Sequence, residues 1–274
     1  SPARNHTVDM LTLLTLTRRS SILLSQTVVR SYSEEGRKLP QELRSMMRDD
    51  WGAGLSYMEA MKNAVASENA ERLKRKLPED LGIREKKIYD QIIESRGKTG
   101  KVSGFDIKDN DGSLRGPWNA MISSSPEIGA CIERLAHACR HNNSCPAELY
   151  ECGILVIAAK KRSNFEWFAH EKIALKVGVQ PETIDDIRQL RFHNPRGASD
   201  AQKALILYTD ELDRTHRISD STHSAALAAL NHSEKKLVDF VWTIGLYSQI
   251  AFILNAFNVP LPKDAPNPSF LPNS

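Results

Sequence analysis

From Leu77 to Pro262 the apolar residues recur at three- and four-residue steps, and strand-like alternation is almost absent. A repeat near about 3.6 residues gathers apolar side chains on one side of a helix, whereas a half-buried strand needs a period of two. This region can therefore bury its apolar surface as packed helices and not as a sheet. The pattern predicts an all-α domain over 77–262, with helical segments near 83–96, 125–141, 147–160, 163–177, 181–188, 199–214, 222–230 and 234–256.

Capping chemistry marks several of these boundaries. Ser125-Pro126-Glu127 offers a serine N-cap with proline at the first helical position, and Cys145-Pro146 opens the next helix in a similar way. Val177-Gly178-Val179 places a residue tolerant of left-handed geometry at a helix end. Gly97 to Pro117 reads as a polar, glycine-containing loop, and residues 263–274 are too proline-rich to be anything but an extended arm.

Composition narrows the partners. In 274 residues, 41% are hydrophobic, enough for a core, and the 26% that are charged nearly cancel to +3. Such a balance makes no broad field for nucleic acid or anionic lipid, so neither is expected as a partner. The most apolar stretch, Leu237 to Phe257, is interrupted by Asp239, Trp242, Thr243, Tyr247, Ser248, Gln249 and Asn255, and reads as a buried core helix and not as a lipid-facing span. Cys131, Cys139, Cys145 and Cys152 form no CxxC pair and no zinc-finger spacing. Burial as small apolar residues is the plain reading, with a disulfide or redox pair as the alternative.

The first 33 residues have a different texture. The chain opens on Ser1, with Met10 as a candidate natural start, and from Met10 to Ser33 Arg18, Arg19 and Arg30 stand among Leu, Ile, Val, Ser and Thr without an acidic residue. That composition suits a mitochondrial presequence, with Arg30-Ser31-Tyr32-Ser33 resembling a processing site; a disordered basic arm on a cytoplasmic protein is the competing view. Residues 34–76 form a charged extension in which Leu55, Met58, Met61, Ala64 and Val65 are spaced as an amphipathic helix.

Chemistry concentrates between 148 and 170. Glu151 sits beside Leu149, Cys152, Gly153, Val156 and Ile157 on an otherwise apolar helix, where an ionised carboxylate is costly without a partner. Glu166 and His170 stand four residues apart on the following segment and so share a face, an arrangement suited to proton transfer near neutral pH. On a surface such a pair is decoration. Here Phe165, Trp167 and Phe168 surround it and would desolvate the polar groups, as happens where pKa values are tuned. Two glutamates and a histidine could hold a metal, but HExxH order is missing and no metal or other cofactor is expected.

Two other fragments fail on their spacing. Gly97-Lys98-Thr99 has the ending of a phosphate loop, but Ile92 occupies the position of the first glycine. Asp106 to Gly112 approximates a calcium loop, but Ile107 and Trp118 stand where the first aspartate and last glutamate belong.

The run from Cys145-Pro146 through Ile187, with Glu151, the Phe-Glu-Trp-x-x-His string at 165–170, Ala174, Gly178 and Glu182-Thr183-Ile184, resembles the core of the carboxymuconolactone decarboxylase and alkyl hydroperoxidase D superfamily. The likeness extends to Arg115-Gly116-Pro117-Trp118-Asn119, to Ser125-Pro126-Glu127 and to the closing stretch 254–262, about residues 77–262 in all. It implies an alkyl hydroperoxidase D-like helical domain assembled as trimers or hexamers. In the peroxidase branch a CxxC pair lies between the glutamate and the histidine; the matching positions here are Ser163 and Glu166, so both redox sulfurs are gone. The Glu-Trp-x-x-His form resembles the decarboxylase-like branch instead.

That resemblance implies a cofactor-independent lyase acting on a small carboxylated or lactone substrate. His170 is expected as the proton carrier, Glu151 and Glu166 as its partners, Trp167 and Phe165 as walls, Arg115 as a clamp on the substrate carboxylate and Trp118 as lining. A redox protein using other cysteines, such as Cys145 and Cys152, and a non-catalytic mitochondrial scaffold are the alternatives.

Overall fold

In the computed structural model the described residues are 71–103 and 106–262. The expected presequence, the amphipathic helix around Met58 and the arm 263–274 lie outside them. After a 3-10 turn at Pro78–Asp80 come nine helices among the described residues: α1 (Ile83–Ser103), α2 (Gly116–Ser123), α3 (Pro126–His141), α4 (Ala147–Lys160), α5 (Asn164–Lys176), α6 (Pro181–Arg188), α7 (Asp200–Thr215), α8 (Asp220–Ala229) and α9 (Glu234–Ala256). Extended pairing among these residues is limited to one bridge between Lys108 and Leu114. The fold is all-α.

The helices are arranged around α4, and its sequence explains why. Leu149 and every residue from Glu151 to Ala159 are buried, so this segment is apolar on all sides and has no face to offer solvent. Ile154 joins the cluster built by Ile92, Leu114, Ile122 and Leu254. Leu155 and Val156 pack with Trp167, Ile184 and Ile187, while Leu149 and Ile157 pack with Leu205, Leu230, Phe240 and Ile244. Gly153 sets the closest approach: a Cβ there would lie 2.8 Å from Ile244 and 2.9 Å from Phe240.

Helix α9 is the one helix among the described residues long and apolar enough to cross a membrane. Half of its most apolar window is buried inside the unit. Its inner face, with Leu237, Phe240, Ile244, Tyr247 and Leu254, belongs to the core, while Val238, Trp242 and Phe252 remain exposed on the outer face.

Two stretches differ from the loop expected over Gly97–Pro117. Helix α1 continues past Gly97 to Ser103. A helix already nucleated by the turns carrying Ile88 and Ile92 adds one hydrogen bond per further residue, which offsets the glycine cost of about 1 kcal/mol at Gly97 and Gly100. Helix α2 occupies Gly116–Ser123 with proline in its first turn and Trp118, Met121 and Ile122 buried. The glycine and proline that open this segment hide its helical period, and contact with α1, α3 and α9 organises it. Elsewhere the expected boundaries agree closely: Ser125 and Pro146 stand at the N-cap positions of α3 and α4, neither making a side-chain capping bond, and Gly178 follows α5 with φ of +98°.

Candidate active site

Glu151 opens the buried run 151–159 of α4, so its carboxylate is buried with the helix that carries it. After the turn at 161–163, where Arg162 takes a positive φ of 53°, α5 folds back against α4. This hairpin brings His170 to Glu151, and the Nδ1–H donates to Oε2 at 2.7 Å between two buried side chains. With Nδ1 engaged by the carboxylate, Nε2 is the nitrogen free to exchange a proton. The Tyr247 ring of α9 packs edge-on against the imidazole, with centroids 4.6 Å apart and planes at 79°. Burial raises the pKa of the Tyr247 hydroxyl above its ordinary value, which keeps it a donor.

Glu166, one turn before His170, is in the opposite situation. Its side chain is buried and neither carboxyl oxygen has a hydrogen-bond partner among the described residues. Burial pushes its pKa well above the usual carboxylate range, an effect that Lys161 opposes and the Glu151 charge reinforces. Two glutamates on adjoining helices therefore stand in different surroundings, Glu151 hydrogen-bonded to an imidazole and Glu166 without a partner among the described residues and with its pKa raised by burial.

His170, Glu166 and Tyr247 face a cavity of about 60 Å³. Trp118 and Phe165, set edge to face at 6.5 Å, form part of its wall together with Met121 and Ile250. Two arginines complete it. Arg96 of α1 is buried, donates from Nη2 to Glu133 at 2.8 Å, and lies over the Trp118 ring at 5.7 Å. Arg140, near the end of α3, has its pKa lowered first by burial and then by the charge of Arg96.

The structure thus gathers five of the seven residues expected at the site: Glu151, Glu166, His170, Trp118 and Phe165. Trp167 turns the other way, into the core between α4 and α6, where its Nε1 donates to Glu171 at 3.0 Å and the Arg188 guanidinium covers its ring at 5.3 Å. Aromatic residues at adjacent helical positions point about 100° apart, so Phe165, Glu166 and Trp167 cannot all line one space. Arg115 is also elsewhere. It caps α2 from the preceding loop, donates from Nε to Asp109 at 2.9 Å and from Nη1 to the Asp106 carbonyl at 3.2 Å, and takes no part in the cavity wall.

Arg96, Arg140 and Tyr247 were not singled out from the sequence. A signal existed for each. Arg96 follows Ile92 by four residues, Arg140 follows Ala136 by four, and Tyr247 follows Ile244 by three, so each polar group continues an apolar stripe.

All four cysteines are free, Cys131 exposed and the others buried. Burial pushes the Cys145 thiol up to about 12 and raises Cys152 as well, and no cysteine lines the cavity. Among the described residues no three His, Cys, Asp or Glu side chains are grouped to hold a metal ion.

No family model matches this chain, and no curated protein matches it. Among solved structures, the chain is similar to the apo crystal structure of the debrominase Bmp8, with a TM-score of 0.52 and 11% sequence identity over 67% of this chain and 90% of that one. At that identity the likeness is one of fold alone, and it agrees with the all-α architecture.

Proposed function

We propose that this chain is a carboxymuconolactone decarboxylase-like enzyme: a cofactor-independent lyase that removes carbon dioxide from a small carboxylated or lactone substrate. The observation that carries the reading is the buried Glu151–His170 hydrogen bond at a cavity shared with Glu166, whose pKa burial raises. In a decarboxylation the bond to the carboxylate carbon breaks, its electron pair passes into an adjoining carbonyl as an enolate, and a proton must then reach the carbon. Glu166 and the Tyr247 hydroxyl supply donors for the enolate oxygen in a site of low polarity, where such bonds are strongest. Protonated His170, charge-balanced by Glu151, delivers the proton from Nε2 and recovers it from solvent. General acid catalysis of this kind contributes about 10²- to 10⁴-fold.

The cavity supports an enzyme over a scaffold, which has no use for an open space walled by titratable groups. Thiol peroxidase chemistry would need a thiolate at the site, and the cysteines lie elsewhere, with the pKa values of Cys139, Cys145 and Cys152 raised by burial. The exposed Val238, Trp242 and Phe252 on α9 support assembly with further copies of the same chain. A mitochondrial location rests on the acid-free, arginine-bearing composition of residues 10–33 alone.

Screening the purified protein for carbon dioxide release from a panel of lactones and keto acids tests the reaction. The substitution His170→Gln should abolish turnover of any substrate found while leaving the helical circular dichroism intact. Undiminished turnover in that variant would remove His170 from the mechanism.

A further inference from the structure

Two guanidinium groups reach the cavity from different helices, Arg96 from α1 and Arg140 from α3. Among the described residues one carboxylate is hydrogen-bonded to either: Glu133 accepts from Arg96 Nη2 at 2.8 Å and from Ser95 Oγ at 2.8 Å. Glu151, the other carboxylate that acts on Arg140 electrostatically, is engaged by His170. Arg140 Nε, Arg140 Nη2 and Arg96 Nε are left buried with no hydrogen-bond partner among the described residues. Buried cationic donors without acceptors are unfavourable, and two like charges beside one another add to the penalty. An anion in the cavity relieves both.

Size and charge narrow that anion. A cavity of about 60 Å³ corresponds to roughly four to six water positions at about 10–15 Å³ each. Arg96 and Arg140 stand against the two carboxylates Glu133 and Glu151. A monoanion adds the least further negative charge to this buried site, whereas a dianion adds twice as much. The planar fork of arginine matches a carboxylate with two parallel hydrogen bonds. We propose that Arg140, assisted by Arg96, is the subsite that binds the carboxylate of a short monocarboxylic acid of roughly four to six non-hydrogen atoms. This deepens the lyase reading, because an acid seated there presents its remaining carbons to His170 and Glu166; the anion binding itself does not require that reading.

Calorimetric titration of the full chain with propionate, and with inorganic phosphate above its second pKa, where the dianion dominates, tests the subsite. Wild type should bind propionate saturably and phosphate at least about tenfold more weakly, and Arg140→Gln should weaken propionate by about tenfold or more, as expected for a lost charge-assisted pair. Arg140→Lys, which keeps the charge, should fall between them. Ala169→Leu, which fills the cavity without touching a charge, should also abolish binding, and thermal melts verify that each variant is folded. Equal propionate affinity in wild type and Arg140→Gln, no binding to wild type, or tighter binding of phosphate would each overturn the proposal. Arg140-dependent binding without turnover of any lactone or keto acid would retire the lyase reading and leave the subsite standing. Turnover that survives Arg140→Gln unchanged would do the reverse.

Discussion

The Nδ1–H of His170 on α5 donates to Oε2 of Glu151 on α4 at 2.7 Å, joining two helices through groups that are both withdrawn from solvent. The carboxylate fixes which imidazole nitrogen carries the proton in the neutral ring and stabilises the imidazolium. A glutamine at 151 has nearly the same shape but lacks the charge, and its amide can favour the opposite tautomer. Glu151→Gln should therefore lower kcat/KM by about 10²- to 10⁴-fold, with a smaller effect on folding. Steady-state kinetics on a verified substrate measure this, and a loss below about threefold would show that the carboxylate does not govern the imidazole.

Glu166 carries the opposite sign of pH linkage from a salt-bridged acid. Its pKa in the folded chain is raised by burial, so its contribution is most favourable below the unfolded carboxyl pKa, near about 4.5. As pH rises above that value the folded state holds the extra proton, stability declines, and the decline ends once pH passes the folded pKa. Glu166→Gln removes the titration. Urea unfolding from pH 5 to 9 should show the variant losing less stability than wild type across this range, and parallel curves would mean that Glu166 is not kept neutral by its site.

The buried pair of Arg96 and Glu133, only 6% and 5% side-chain exposed, should behave very differently when one partner or both are changed. Arg96→Met leaves a buried carboxylate unmatched and should cost about 3–5 kcal/mol, while Arg96→Met combined with Glu133→Leu should recover most of it. Chemical denaturation of the two single variants and the double variant forms the cycle. Additive losses would show that the two charges do not depend on each other.

The approach of α4 to α9 rests on the missing side chain at Gly153. A Cβ there meets Ile244 and Phe240 at under 3 Å, and Phe240 is a rigid ring with no room of its own. Gly153→Ala should cost about 1–3 kcal/mol despite the higher helix propensity of alanine. A melting temperature equal to or above wild type would show that the two helices separate easily.

Much of the fold was legible in the order of residues, because helix formation depends on neighbours three and four positions away. The segments at 147–160, 181–188 and 234–256 coincide with α4, α6 and α9, and proline, serine and glycine mark the ends as their backbone preferences require. Glu151, Glu166 and His170 could be found for the same reason, since each is a polar side chain on a stripe that is otherwise apolar or aromatic. Helix α2 could not, because its eight residues acquire their shape from α1, α3 and α9.

Ser163 and Glu166 mark where local order stops deciding. By position they form a Ser-x-x-Glu capping box, the arrangement that Ser199 and Gln202 do make at the start of α7. At the start of α5 neither cap bond forms: the Ser163 hydroxyl has no partner among the described residues and Glu166 is among the cavity-lining groups. The packing of α5 between α4 and α1 overrides the local preference. Likewise, Arg96, Arg140 and Tyr247 meet only because three helices distant in sequence converge there. The sequence by itself determined most of the helical segments and the burial of Glu151, Glu166 and His170. Tertiary packing decided which of those groups share a cavity, because the direction of a side chain relative to a distant helix is set by how helices cross and not by the spacing along any one of them.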